Sequence, residues 1–133
     1  MKKTFFLLCI LLTAINFNSF AQSAVATLGT IVPNTFVSGV PTPVLTTNDR
    51  ISKSVGLNIS TPGYTVTSYK CTIVAGSSTW GPVSVTGALL TDEIITHVKA
   101  TRGPNVNVVF SNIHAAHGSA DVTLPVIALK YDQ

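Results

Sequence analysis

Two histidines three residues apart, His114 and His117 in the stretch SNIHAAHG, are the side chains of this sequence best suited to chemistry. Completed by His97 or Asp121, they would suggest a zinc-type site, which needs three or four deprotonated donors. The spacing does not force that outcome. Residues i and i+3 share a face only on a helix. The stretch SNIHAAHGSAD reads instead as a polar hairpin connection, with Gly118 supplying a positive φ cheaply and Asp121 suited to a turn boundary. Both histidines are therefore expected on an exposed turn, and no metal-ligating residue is expected.

The other reactive groups point the same way. Asp92-Glu93 has the composition of an acid/base pair, but neighbouring residues on a helix project about 100° apart and do not flank one substrate. Their better role is to complement the exposed N–H groups of a helix start. Serine, histidine and aspartate all occur, yet no Gly-x-Ser-x-Gly elbow is present, nor a phosphate-cradling loop or dinucleotide fingerprint. No catalytic or cofactor-binding residue is expected, and the chain reads as non-enzymatic. Cys71 is expected to be a buried, inert small hydrophobe. Trp80, in SSTWGP, either covers the end of a core with its indole N–H near water or stands exposed as an anchor for a partner or sugar. Asn58-Ile59-Ser60 matches a glycosylation triplet, which has no meaning in a bacterial host.

Positioning these residues requires strands. Met1-Lys2-Lys3, an apolar run from Phe5 to Ala14 and a small-x-small end at Ser19-Phe20-Ala21 read as a secretory signal peptide, residues 1–21. The apolar run is shorter than the roughly 20 residues that a spanning helix needs. Cys9 inside it has the wrong context for a lipid anchor. Removal after Ala21 leaves 112 of 133 residues, enough for one domain. It also removes Lys2 and Lys3, leaving six basic residues against five acidic ones. With no basic cluster left, neither nucleic acid nor anionic membrane is an expected partner. The mature chain keeps one cysteine, so no internal disulfide can form.

Residues 22–40 carry two short apolar runs broken by Gly29 and Pro33, an N-terminal arm or edge strand. Pro41-Thr42-Pro43 stiffens the chain into an extended segment. Ser54 to Ile59 reads as a short strand. After Pro62-Gly63, YTVTSYKCTIVA alternates, with Thr65, Thr67, Tyr69, Cys71 and Ile73 on one face and Tyr64, Val66, Ser68, Lys70 and Thr72 on the other. Gly76-Ser77-Ser78 is a turn, and Pro82 to Val85 a short strand. The period then changes. Leu90, Ile94 and Val98 recur every four residues, Thr91 suits an N-cap, and Gly103-Pro104 ends a short helix at about 91–101. Val106, Val108 and Phe110 mark the next strand. Val122, Leu124, Val126 and Ala128 mark the last, with Pro125 favouring an edge or bulge. The fold expected is mainly β.

The order of these segments resembles the C-terminal domain of the GldM/PorM-type protein of gliding motility and type IX secretion in Bacteroidetes. The shared features are the strand pattern of Tyr64, Val66, Ser68 and Tyr69, and the helix start of Gly87, Leu90, Thr91 and Glu93. The strand pattern of Val108, Phe110, Asn112 and Ile113 comes next. Val40-Pro41-Thr42-Pro43 and Ile51-Ser52 fit the approach to that domain. The resemblance covers roughly residues 40–131, so residues 41–131 would form the domain. It implies an immunoglobulin-like β-sandwich with a protein-binding habit, in the periplasm or outside the cell, with a partner in the secretion or gliding machinery. The full-length family also carries a transmembrane helix and several periplasmic domains, here replaced by a signal peptide and a short arm. Energy coupling therefore does not carry over. The alternative is a carbohydrate-binding or adhesive surface module, with Trp80 and Tyr64 lining one exposed strip.

Overall fold

The computed structural model describes residues 24–30, 44–45, 51–103 and 105–131. The expected signal peptide and the Val40–Pro43 segment lie outside them. The chain is mainly β with one helix. Strands run over Ala26–Leu28 (β1), Val44–Leu45 (β2), Leu57–Ile59 (β3), Tyr64–Ala75 (β4) and Ser78–Thr86 (β5). The helix α1 spans Asp92–Ala100, and Val106–His117 (β6), Ala120–Leu124 (β7) and Ile127–Tyr131 (β8) complete the set. The large sheet has the order β2-β8-β6-β4-β5, with β7 also on β6. All its pairings are antiparallel except β2 with β8. The second sheet is the antiparallel pair β1–β3.

One face of the large sheet is the core. Tyr69, Cys71 and Ile73 of β4, Phe110 and Ile113 of β6, and Ile127 and Leu129 of β8 are all almost wholly buried. The opposing layer is the small sheet with α1: Ala26, Leu28, Leu57, Ile94 and Val98 join the same cluster. Two layers across one core is an arrangement consistent with a β-sandwich. Part of segment 22–40 is thus an edge strand of the second sheet, because Ala26 and Leu28 belong to the core. The β3 strand is joined on its other side to residues 88–90, through Leu57 N–H to Ala88 O at 2.8 Å and Leu90 N–H to Val55 O at 3.0 Å. The approach is tight: a Cβ on Gly56 would lie 2.6 Å from Ala88 O.

The helix forms for the reasons its sequence supplies. Thr91, in extended conformation, accepts a hydrogen bond from Ile94 N–H at 3.3 Å. Asp92 and Glu93 fill the first turn, and Thr101 N–H closes the last onto His97 O at 2.9 Å. A nine-residue helix is marginal alone in water. Burial of Ile94 and Val98, both fully enclosed, contributes about 1.5–3 kcal/mol each.

Three strands change the parity of their buried residues at one level of the sheet. In β4 the expected alternation holds for Tyr69, Cys71 and Ile73 but fails earlier: Val66 is buried, while Thr65 and Thr67 are exposed. An extra residue lies between Val66 and Ser68, where β4 advances two positions against one in β6. On β6 the core positions pass from Val106, Val108 and Phe110 to Ile113 and Ala115. The extra residue there falls at Asn112, which has a φ of 45°. The last expected strand is two strands, β7 and β8, split at Pro125-Val126 opposite the β6 bulge. Leu124 and Ile127 are buried but Val126 is 42% exposed, so Val126 does not share the Leu124 face. Each strand corrects for its neighbour, and the core face stays continuous across the crease.

The β5 strand is longer than the expected Pro82–Val85. It begins at Ser78, and the turn before it is Gly76-Ser77. It too is bulged: β4 advances from Cys71 to Ile73 while β5 passes from Val83 to Trp80. Gly81 sits in that bulge at φ 96°, its Cα so close to β4 that a Cβ would lie 2.6 Å from Cys71 O. The Gly81–Pro82 peptide bond is cis.

Candidate functional site

The stretch SNIHAAHG is not a turn. It continues β6 through His117, and the turn is Gly118-Ser119. The expectation of a long connection missed that Ile113 and Ala115 are core residues in a strand. The strand also sends the two imidazoles apart. An odd separation sends two strand residues to opposite faces. His114 lies opposite Ser68 on the outer face, and His117 lies opposite Tyr64 on the inner side.

Each imidazole has its own partner. His114 Nδ1–H donates to Asp121 Oδ2 at 3.0 Å, a diagonal contact between β6 and β7. His117 stacks on Tyr64 with ring centroids 4.3 Å apart and planes at 14°. His97 lies on α1, donates from Nδ1 to Glu93 O at 3.0 Å and stacks on Trp80 with centroids 4.0 Å apart. Among the described residues, no group of three or more histidines, cysteines or carboxylates is gathered to hold a metal ion. Asp121 does meet His114, but as a hydrogen-bond acceptor that fixes the ring, leaving Nε2 as its other nitrogen.

Trp80 lies opposite Ile73 on the core side of β5 and is half-buried against the core. Its ring is the contact through which β5 meets α1, which fits the core-covering reading of this residue. Tyr64 is nine positions from Ile73 along β4, roughly 30 Å at about 3.3 Å per residue. The two rings sit at opposite ends of the sheet, each with an imidazole already stacked on it.

Cys71 is fully buried, and burial pushes its thiol up to about 12. The thiol stays protonated and is a poor nucleophile. Burial, with a smaller contribution from Cys71, likewise holds the Tyr69 phenol well above its usual range. Its hydroxyl donates to Leu89 O at 2.8 Å, tying β4 to the segment before α1. Asp92 pairs with Lys53 at 2.8 Å across an exposed surface, and Glu93 is exposed beside it.

What the spacing could not show is a hollow of about 220 Å³ on the outer face at the crease. Ser68, Lys70, Ser84, Thr86, Asn112 and His114 line it, drawn from three strands. Thr86, Ser68, His114 and Thr123 form one transverse row across β5, β4, β6 and β7. In the sequence these residues are scattered over tens of positions; the β4–β5 register joins Ser68 and Lys70 to Thr86 and Ser84, and the β4 and β6 bulges bring in Asn112 and His114. A second hollow of about 390 Å³ lies between β3 and the start of β4, lined largely by Leu57–Ile59 and Tyr64–Val66. Its one ionisable side chain is the Tyr64 phenol.

No protein-family model matches the chain, and neither a curated protein nor a solved structure is close enough to it to count as a match.

Proposed function

We propose that the chain is a secreted, non-enzymatic binding module, an immunoglobulin-like β-sandwich acting through protein–protein contact in the cell envelope. The observation that carries this reading is the dispersal of its reactive groups. The three imidazoles belong to three separate places, one on a helix and two on opposite faces of a strand, and each is engaged by a neighbour. What the fold offers a partner instead is surface: the outer face of the large sheet, and Leu89 and Val126, at 57% and 42% exposure. The resemblance of residues 40–131 to the GldM/PorM-type C-terminal domain directs the search for that partner to the gliding and type IX secretion machinery. Export through the signal peptide is part of the same proposal.

The test is affinity capture from envelope extracts on the immobilised mature chain, with heat-unfolded chain as control. Recovery of components of that machinery by the folded chain alone is the expected result. Recovery of none of them would overturn the assignment of the partner. The carbohydrate-binding alternative has less to support it, because Trp80 and Tyr64 do not share a strip. A glycan array probed with wild type and Trp80→Ala tests it directly.

A further inference from the structure

We propose that the hollow on the outer face receives a carboxylate side chain from an extended acidic peptide segment of the partner. This deepens the protein-binding reading and rests on it. Its polar groups are the Lys70 ammonium, the Ser68, Ser84 and Thr86 hydroxyls and the Asn112 amide, each able to donate a hydrogen bond, set among apolar lining that includes Tyr69 and Val85. The His114 ring stands at its wall, oriented by Asp121. Among the described residues Lys70 is paired with no carboxylate. The described carboxylates other than Asp121 are Asp92 and Glu93, on the helix in the opposing layer. A donor-rich hollow beside an unpaired cation is complementary to a carboxylate, where charge-assisted hydrogen bonds are the strong ones.

Backbone geometry supports a built site. Bulges in β4 and β6 fall at the same level and open the hollow between them. Asn112 holds a φ of 45°, which glycine would adopt at lower cost; asparagine adds an amide to the lining of the hollow. A second outer-face cation, Lys130, lies four positions along β6 and two strands over, through its pairing with Asn107. At about 3.3 Å per residue and 4.8 Å per strand, the two ammonium groups are rooted roughly 16 Å apart. Four to five residue steps of extended chain cover that span, with the long lysine and glutamate side chains taking up the difference, which favours a peptide over a single small anion. Tyr69, the aromatic residue of the lining, is buried in the core, so it offers no exposed ring for stacking on a sugar.

The experiment is an NMR titration of the isotope-labelled mature chain with three probes. They are a five-residue peptide with glutamate at both ends and serine between, its glutamine counterpart, and inorganic phosphate. The glutamate peptide is expected to shift the Ser68, Lys70, Asn112 and His114 amides saturably, and the glutamine peptide to leave them in place. Lys70→Gln should weaken binding about tenfold or more, as for loss of one charge-assisted hydrogen bond. Lys70→Arg should retain it, and Lys53→Gln, on the helix side, should change nothing. Equal response to both peptides, or unchanged affinity in a folded Lys70→Gln variant, would overturn the proposal. Phosphate binding as tight as the glutamate peptide would do so too, by reassigning the hollow to free anions. The partner reading separates cleanly. Envelope capture undiminished by Lys70→Gln, with no peptide binding, sinks the hollow alone. Peptide binding with no envelope capture upholds the hollow and sinks the assigned partner.

Discussion

Replacing Gly81 and Gly76 by alanine, one at a time, tests whether the β5 bulge is as tightly fitted as its geometry implies. Both glycines have positive φ, 96° and 58°, so both alanines carry the cost of a left-handed residue, about 1–2 kcal/mol. They differ in what the new methyl meets. At Gly76, in the β4–β5 turn, nothing lies within 4 Å. At Gly81 the methyl would sit 2.6 Å from Cys71 O, 3.2 Å from Val83 N and 3.3 Å from Thr72 Cα. All three are main-chain atoms, and β4 is held on its other side by β6 through Cys71↔Phe110. Relief requires pulling β5 away and losing one or two ladder hydrogen bonds, at about 1 kcal/mol each. Gly81→Ala should therefore cost about 2–4 kcal/mol and Gly76→Ala about 1–2 kcal/mol, a gap of about 1–2 kcal/mol. For a domain of this size that gap lowers Tm by about 4–8 °C. Urea unfolding followed by far-UV circular dichroism measures it, with Trp80 fluorescence as a second probe. Equal losses in the two variants would refute the reasoning, because the close approach would then carry no energy.

Other substitutions separate the remaining contributions. Thr91→Ala removes the α1 cap and should cost about 1 kcal/mol in the same unfolding assay, whereas Val98→Ala leaves a hole in the core and should cost about 2 kcal/mol or more. Asp121→Asn breaks an exposed contact with His114 and should change stability by less than about 0.5 kcal/mol. Cys71 gives a pH dependence. Its folded value, pushed up to about 12 from an ordinary value near 9, favours the protonated thiol of the folded state. Its contribution is therefore fully present below pH 9 and is lost as pH rises from 9 toward 12, at up to about 1.4 kcal/mol per pH unit. Tyr69 is shifted in the same direction and adds to the loss above pH 10. Urea midpoints across pH 8 to 11 should fall more shallowly in Cys71→Ala, and a thiol reagent should label the wild-type chain only on unfolding.

The local features were legible because their causes are local. A threonine before two carboxylates, with Leu90, Ile94 and Val98 at four-residue spacing, gave the helix almost to the residue. The β4 and β6 cores showed as alternating apolar positions wherever alternation held. It failed at Thr67, Asn112 and Pro125-Val126, because a bulge is settled by neighbouring strands and not by the strand that contains it. The same cause hid the candidate site. SNIHAAHG reads as a loop when Ile113 and Ala115 are scored for one alternation from Val106, and as a strand once one residue is set aside. Nothing in a linear reading joins Ser68 and Lys70 to Ser84 or Asn112, since their meeting results from register.

Pro82 has a consequence for how copies of this chain behave toward one another. It stands midway along the outermost strand of the large sheet and has no N–H to offer a newcomer, and the chain kinks at Gly81 beside it. A molecule whose rim is a long row of free amides invites endless stacking into fibrils. Here the row is cut into two short pieces, Ser78–Trp80 and Val83–Thr86, each too brief to template another sheet. Copies of this chain brought close together gain from that interruption the freedom to stay apart.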